Sequence, residues 1–207
     1  MARATPVDRD VAHCPPDQLG WLQARAVKKE LAALDGHCRH FIALSPQVIL
    51  ATGDAAHRLD ASPRGREPGF VQVSADGALL IPDAPGNKRL NSFENIVDTG
   101  QVGLLFLIPR FDDTLRINGQ AWLSTDPPDL AACTSERRAL KLVVRVSVTA
   151  AYLHCAKALM RSRLWQASSR VDRVALPSAG RMISDQTGIV VAPETQEASA
   201  RRCAPAL

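Results

Sequence analysis

Short apolar runs separated by turn residues dominate the middle of the chain. Val, Ile and Leu are enriched in five of them, at residues 47–54, 69–83, 101–109, 114–125 and 140–149. Runs of this length and composition are typical of strands. The second run is interrupted by Asp76-Gly77, which supplies the positive φ of a tight turn and predicts a hairpin. We therefore expect five or six strands, with a weaker turn signal at Asp112-Asp113.

Two helices are predicted before the strands begin. Apolar residues at helical spacing predict an amphipathic helix that starts at Asp17 and runs to Leu31. A shorter helix is expected over residues 36–44. It has to stop before Pro46, because proline disfavours helical geometry in the residue ahead of it.

Two more helical segments lie among and after the strands. One or two helical turns are expected between the second and third apolar runs. They would be capped by Asn91 or Ser92 and ended by Gly100. Residues 151–165 recover helical spacing and predict the last helix.

These elements predict a mainly β protein, a small antiparallel barrel with helices packed outside it. The 207 residues suffice for one domain with its own hydrophobic core. We expect an N-terminal helical segment (1–44) packed on the barrel, a barrel domain with a C-terminal helix (45–192) and a flexible tail (193–207).

Charge and composition narrow the class of ligand. The net charge is +4 and the pI about 9.0, but no run of five or six lysines and arginines occurs. With only three Trp, one Tyr and five Phe, platforms for base stacking are scarce. A discrete phosphate site fits this composition better than a nucleic-acid groove.

The cysteines and the N-terminus indicate a cytoplasmic protein. Five widely separated cysteines, an odd number, form neither a disulfide framework nor a CxxC pair, so we expect reduced thiols. The first residues lack the apolar core of a signal peptide, and the longest apolar run, 102–109, is too short to span a bilayer. We expect no membrane partner.

Metal binding is not expected at either pairing of histidine with cysteine. His37 and His40 align only partly on a helix, and a fourth ligand is missing beside Cys38. His154 and Cys155 have no further ligands at usable spacing.

Two polar clusters beside predicted strands are the best candidates for a binding site. IPDAPGNKRLNSFENI (81–96) places adjacent cations where a strand ends and a helix begins, a junction that stabilises anions. ASPRGREPG (61–69) precedes the strand that pairs with the one leading into the first cluster, so the two loops are expected to meet. A solvated basic turn and a flexible surface loop are the alternatives.

Four segments resemble the FMN-binding split-barrel family related to pyridoxamine 5'-phosphate oxidase, especially its branch of FMN-dependent enzymes. They are SPRGREPGFVQV, LLIPDAPGNKRLNSFENI, VGLLFLIPRFDDTLRINGQAWLSTD and HCAKALMRSRLW. Together they span most of residues 45–166, in the family's order. The resemblance implies a six-stranded antiparallel split β-barrel with flanking helices. It also implies a homodimer, with FMN in a cleft lined by both protomers.

The resemblance further implies which residues hold the cofactor. The FMN phosphate is expected beside four residues: Asn87, Lys88, Arg89 and Ser92. The strand and loop beside the isoalloxazine ring are expected to contain four more: Ser62, Pro63, Arg64 and Gly65.

Two further pairs complete the expected site. Arg116 and Asn118 lie on the strand that reaches the flavin from the partner subunit in the family. Lys157 and Arg161, at i and i+4 on the last predicted helix, are expected to bind a second anionic group of the flavin or of a substrate, unless they form an ordinary solvated face.

The expected activity is that of an FMN-dependent oxidoreductase acting on a small molecule, with NAD(P)H or oxygen as reaction partner. Hydride transfer would occur at flavin N5, and Arg64 or Arg116 would stabilise the negative charge of the reduced flavin. No Ser-His-Asp set or carboxylate pair is evident, so no catalytic residue is assigned. A flavin carrier or sensor without turnover is the alternative, as is a split barrel that holds deazaflavin F420 or haem.

Overall fold

The fold is known from a computed structural model that describes residues 28–83, 89–133 and 140–189, and three single residues further on, 198, 201 and 204. Seven strands are described: β1 (Gln47–Gly53), β2 (Leu59–Gly65), β3 (Gln72–Val73), β4 (Leu79–Pro82), β5 (Gln101–Leu107), β6 (Thr114–Ser124) and β7 (Val143–His154). Five α-helices accompany them: α1 (Gly36–Leu44), α2 (Asn91–Thr99), α3 (Pro127–Cys133), α4 (Lys157–Ser162) and α5 (Ala179–Thr187).

The strands form one antiparallel sheet in the order β2-β1-β5-β6-β7-β4-β3. The predicted fold class, a mainly β split barrel with flanking helices, is confirmed. The number of strands is seven rather than six. The additional strand is β2, which falls where the residue pattern predicted a polar loop and where only the family resemblance implied a strand; it contains Pro63 and Gly65, which strands disfavour.

The sheet curls until strands far apart in its order come together. β2 and β4 are the first and sixth strands of the sheet, yet Arg66, just after β2, donates from Nη2 to the carbonyl of Asp83, just after β4, at 3.1 Å. The Arg66 amide also donates to Pro46, just before β1. The residue just after β2 is therefore in contact with the residue just after β4, while residues 84–88 of the second polar cluster lie outside the described residues.

Alternating side chains of the central strands build the core on one face of the sheet. Phe106, Leu115 and Ile117 are fully buried there, next to Val48 and Leu50 of β1. Burial of apolar surface of this kind is the main force that holds a sheet against its helices. The same alternation leaves the intervening residues on the opposite face.

The helix predicted over residues 36–44 is confirmed as α1. Asp35 caps it, because its carboxylate accepts from the Cys38 amide at 2.8 Å, while Cys38 and Ile42 face the core. Most of the helix predicted over residues 17–31, up to residue 27, lies outside the described residues. The prediction that the helix continues to Leu31 is wrong, because Leu31 forms an antiparallel bridge with Ala151 of β7.

Of the two predicted turns, one is confirmed and the other lies at a different position. The hairpin turn at Asp76-Gly77 is confirmed: Gly77 has φ 85° and β3 pairs with β4 on either side. The turn predicted at Asp112-Asp113 lies earlier, where the Phe111 amide donates to the carbonyl of Ile108 and Arg110 takes a left-handed conformation. The turn between β5 and β6 is therefore closed by a backbone hydrogen bond two to three residues before the polar pair that predicted it.

The last predicted helix, 151–165, is wrong in its first half. β7 extends to His154 because its residues pair with β6 as far as Thr114. Tertiary pairing thus overrides the helical spacing of the apolar residues. Helix α4 then covers only Lys157–Ser162. Within the described ranges, no helix combines the length and apolarity needed to cross a bilayer.

Candidate functional site

Helix α2 is fixed against β1 and β2 by side-chain hydrogen bonds along its length. The Ser92 hydroxyl donates to the Asp60 carboxylate at 2.6 Å, near the start of the helix. Asn95 Nδ2 donates to Thr52 Oγ1 at 3.0 Å, and the Thr99 hydroxyl donates to the carbonyl of Gly53. The N-terminal end of α2 is therefore held beside β2, near the start of that strand.

The start of α2 has no side-chain cap, contrary to the prediction that Asn91 or Ser92 would cap it. Leu90 occupies the cap position, the Ser92 hydroxyl is used by Asp60, and Asn91 Oδ1 accepts from Arg89 Nε at 3.3 Å. Amide groups in a first helical turn lack partners inside the helix, and the helix dipole favours negative charge there. The end that Arg89 adjoins is thus suited to an anion. The predicted C-terminal stop is confirmed, since Gly100 ends α2 with φ 67°.

Arg64 is the most unusual side chain of this region. Its Nε atom is buried and has no hydrogen-bond partner within the part of the chain that the structure describes. The guanidinium lies 5.4 Å from the centre of the Phe93 ring on α2. A buried donor without an acceptor is costly, so the site is suited to a ligand that offers one.

The register of β2 explains why Arg64 and Ser62 face α2. Arg64 lies opposite Val48 and Ser62 opposite Leu50, both on the core face of β1. Successive side chains of a strand alternate between its two faces, so Pro63 points the other way. Gly65 ends β2, where an added Cβ would lie 3.3 Å from the carbonyl of Pro46.

Asp60 and Phe93 also lie at this site, although the sequence did not single them out. Asp60 falls on the face of β2 that also carries Ser62 and Arg64, a signal of period two that was available once β2 was recognised as a strand. Phe93 became relevant only through its contact with Arg64. Two of the predicted phosphate residues, Asn87 and Lys88, lie outside the described residues.

The residues around α2 fit a flavin mononucleotide in two respects. The uncapped helix end with Arg89 offers positive potential for a phosphate, and the buried Arg64 Nε offers a donor without an acceptor. The Phe93 ring adds an apolar surface beside that donor. An anionic tail and a polar ring edge are the two features that such a ligand presents.

Arg116 and Asn118 do not join this group within one chain. They alternate along β6 with Leu115 and Ile117, which are buried on the core face, so both project from the opposite face of the sheet. There the Arg116 guanidinium lies 5.4 Å from the centre of the Tyr152 ring on β7. The predicted ring-binding residues thus fall on two faces of one sheet.

Lys157 and Arg161 are one helical turn apart on α4, as their spacing predicted, and both are exposed. The structure does not bring them into contact with the residues around α2. What they bind stays a prediction.

The cysteines on the core side are protected thiols. Burial, reinforced by the hydrogen bond and charge of Asp35, raises the pKa of Cys38 to about 11. Burial, with the negative charge of Asp129 adding to it, raises the pKa of Cys133 to about 11 as well. In the described ranges, no three His, Cys, Asp or Glu residues come together as a metal site.

Several solved structures resemble this chain at low sequence identity. HupZ of Group A Streptococcus is 16% identical, with 58% of this chain and 93% of that chain covered, at a TM-score of 0.47. A protein related to general stress protein 26 from Clostridium acetobutylicum is 9% identical (57% and 85% covered, TM-score 0.43). The FAD binding protein from Mycobacterium smegmatis is 16% identical (59% and 98% covered, TM-score 0.41).

Sequence comparisons add a match at the level of a family. No curated protein matches the chain. Residues 34–155 match the family described as pyridoxamine 5'-phosphate oxidase. This range begins just before α1 and ends just after β7, so it includes every strand described above.

Proposed function

Because the chain belongs to the pyridoxamine 5'-phosphate oxidase family, we propose that it is an FMN-dependent oxidoreductase that acts on a small molecule. The observation that carries the proposal is the buried Arg64 Nε, which has no acceptor among the described residues, next to the uncapped start of α2. Bound FMN would supply the two-electron chemistry, with hydride exchanged at N5. The residues of this chain would bind the cofactor, orient its ring and polarise the ring edge.

The phosphate of the cofactor is assigned to the start of α2. Arg89 contributes a guanidinium, whose fork fits two phosphate oxygens, and the helix end contributes backbone amides and its dipole. Asn87 and Lys88 directly precede Arg89 in the sequence and extend the same positive segment. Ser92 acts indirectly, since its hydroxyl bond to Asp60 holds the helix against β2.

The ring is assigned to the surface that β2 presents to α2. Arg64 would donate from Nε to an acceptor on the ring edge and hold positive charge where electrons accumulate on reduction. Phe93 excludes water beside it and keeps the guanidinium in place. Ser62 and the backbone near Pro63 and Gly65 complete this wall.

A homodimer is part of the proposal, because the predicted residues occupy both faces of the sheet. Arg116 and Asn118 project away from α2 and can meet a ligand held by Arg64 only across a second copy of the chain. The face that carries them also displays Ile49, Ala51 and Leu105, which lie exposed or half-buried in the single chain. Apolar side chains of this kind suit a subunit interface.

The test is chemical identification of the cofactor followed by a redox cycle. Purified protein is denatured, and the released chromophore is identified by mass. FMN is the expected result, and deazaflavin, haem or no chromophore after growth with excess riboflavin contradicts the proposal. Loss of flavin colour with NAD(P)H or a test substrate, and its return in air, supports turnover. A flavin inert to every donor favours the carrier or sensor.

A further inference from the structure

A pocket lies between the β5–β6 connection and helix α4, away from the residues around α2. Its volume is about 250 Å³. Arg110 and Asp112 line it from the connection, while Leu159, Met160, Arg163 and Trp165 line it from α4 and the turn that follows. None of these residues belongs to the candidate flavin site, so the pocket requires its own explanation.

The two arginines of the pocket are held in an unusual backbone conformation. Among the described residues, only three other than glycine have positive φ, and two of them are Arg110 (φ 73°) and Arg163 (φ 50°). Glycine is the ordinary residue at such positions, and this chain uses it where α2 and α5 end, at Gly100 and Gly188. At the end of α4 the same position carries Arg163. Residues held in this conformation cluster at ligand sites, so two arginines that share it beside one pocket point to a ligand.

Hydrogen bonds hold both walls of the pocket in place without a ligand. Trp165 Nε1 donates to the carbonyl of Phe111 at 2.7 Å, which ties the segment after α4 to the β5–β6 connection. The carbonyl of Arg163 accepts from the Gln166 amide and from the Ser169 hydroxyl, both at 2.8 Å. The pocket is therefore already formed, which lowers the entropic cost of binding.

The charges of the pocket are not neutralised inside the chain. Within the described ranges, no hydrogen bond or ion pair involves the guanidinium of Arg110 or Arg163 or the carboxylate of Asp112. Two cations and one anion leave a single positive charge, which matches one negative charge on a ligand. A second negative charge would approach Asp112 and be disfavoured. Leu159, Met160 and the Trp165 ring supply apolar surface for the rest of the ligand.

We propose that this pocket binds a small planar organic monoanion, an aromatic carboxylate, between Arg110 and Arg163. The carboxylate would pair with the two guanidinium groups, and the ring would lie against Trp165 and Met160. The volume is below the range of roughly 300–1,000 Å³ usual for drug-sized ligands, so a single-ring compound fits better than a whole flavin. The pocket thus provides a ligand site beyond the proposed flavin chemistry.

The experiment titrates benzoate into the full-length protein with its natural cofactor content, by isothermal titration calorimetry. Cyclohexanecarboxylate tests the need for a planar ring, and phenyl phosphate tests the preference for one charge. Benzoate is expected to bind more tightly than both. Asp112→Asn should strengthen phenyl phosphate binding more than benzoate binding. Tighter binding of phenyl phosphate to the unaltered protein would overturn the assignment to a monoanion.

Arg110→Gly and Arg163→Gly separate binding from a structural role. Each should weaken benzoate binding by roughly tenfold or more, because a charge-assisted pair is lost. Each should also keep or raise the melting temperature, because glycine relieves the left-handed conformation. Arg170→Gln, an exposed arginine outside the pocket, should change neither property.

The proposal fails if benzoate gives no saturable heat, or if both glycine variants bind it as the unaltered protein does. A lower melting temperature in both variants, with unchanged binding, would show that the arginines are structural. The released chromophore is quantified in the same samples. Unchanged content in the glycine variants supports a site separate from that of the flavin, and its loss would overturn that separation.

Discussion

Arg89 and Arg64 are expected to have different roles in the proposed flavin site. Arg89 is exposed and lies just before the first turn of α2, at the proposed position of the phosphate. Arg64 is half-buried against Phe93, and its Nε atom lacks an acceptor. The first should contribute mainly to affinity and the second to orientation of the ring edge.

Replacing Arg89 by alanine tests the phosphate position. Loss of a charge-assisted hydrogen bond costs roughly 1.5–3 kcal/mol, so FMN affinity should fall by about tenfold to a hundredfold. The fold should be unaffected because the side chain is exposed. The measurement is flavin occupancy and its Kd by fluorescence. Arg58→Ala, which removes an exposed arginine paired with Asp54, is the matched control. Full occupancy in Arg89→Ala would contradict the placement.

The buried thiols predict a loss of stability in alkali. The pKa of Cys38 and of Cys133 rises from 9.0 to about 11 in the folded protein, so the folded state holds these protons more tightly than the unfolded chain. Their contribution is complete below pH 9 and is lost as the pH rises through 11.

A thermal melt at intervals between pH 8 and 11 measures this effect. The melting temperature should fall across the upper part of the range. It should fall less steeply in Cys38→Ala and Cys133→Ala combined, even though that variant starts lower because of its cavities. Equal slopes in the two proteins would mean that other groups, such as lysines, cause the decline.

At the scale of elements, strand β6 depends on a glycine at its irregularity. The register with β7 shifts between Asn118 and Gly119. A Cβ at Gly119 would clash with the carbonyl oxygen of Ser147, which is backbone and has little room to give way. The bulge also marks the end of the Arg116–Asn118 segment, so its geometry bears on the outer face of the sheet.

Gly119→Ala is therefore expected to be severely destabilising, by roughly 3 kcal/mol or more, because strain and overpacking act together. Gly180→Ala is the matched control: a Cβ there meets nothing within 4 Å, and its place in α5 predicts a gain of about 0.5–1 kcal/mol. Denaturant titration compares the two. A Gly119→Ala protein as stable as the parent would show that the sheet can shift locally to accept a side chain.

The elements that the sequence predicted well are those in which local preference and packing agree. α1 has an aspartate cap and two buried residues one turn apart, β5 is a nearly continuous apolar run, and β6 alternates apolar with polar residues. β2 was missed because Pro63 and Gly65 are unfavourable in strands, although this strand lies at the edge of the sheet, where proline is tolerated. The second half of β7 was assigned to a helix because pairing with β6 is invisible in a single sequence.

The candidate site was predictable in its residue types but not in its geometry. Adjacent cations before a helix predicted a phosphate position from sequence alone, and the structure confirms the helix that starts at Asn91 while the phosphate stays a prediction. Whether Arg64 and Arg116 share a face of the sheet depends on the register of β1, β2, β5 and β6, which only the structure supplies. The pocket at Arg110 and Arg163 was missed because the sequence does not reveal backbone strain at either residue.

At the scale of the whole molecule, the opposite placement of Arg64 and Arg116 predicts complementation between subunits. If each site combines Arg64 of one protomer with Arg116 of its partner, a dimer of Arg64→Ala and Arg116→Ala chains contains one intact site and one doubly altered site. Random assortment should then restore about a quarter of all sites in the mixture, although each variant alone has none intact. FMN binding by fluorescence in the co-expressed, mixed sample measures this recovery.

A mixture of Arg64→Ala with Arg89→Ala provides the control for that recovery. Both residues lie on the α2 side of the same protomer, so every site in their mixed dimer lacks one of them and no recovery is expected. Recovery in both mixtures would mean that each variant retains some FMN binding, so that the signal does not report complementation between subunits. Recovery in neither would mean that Arg116 does not act across the dimer. Recovery in the first mixture alone would mean that two copies of the chain build one site. Arg64 would then come from one protomer and Arg116 from the outer sheet face of its partner.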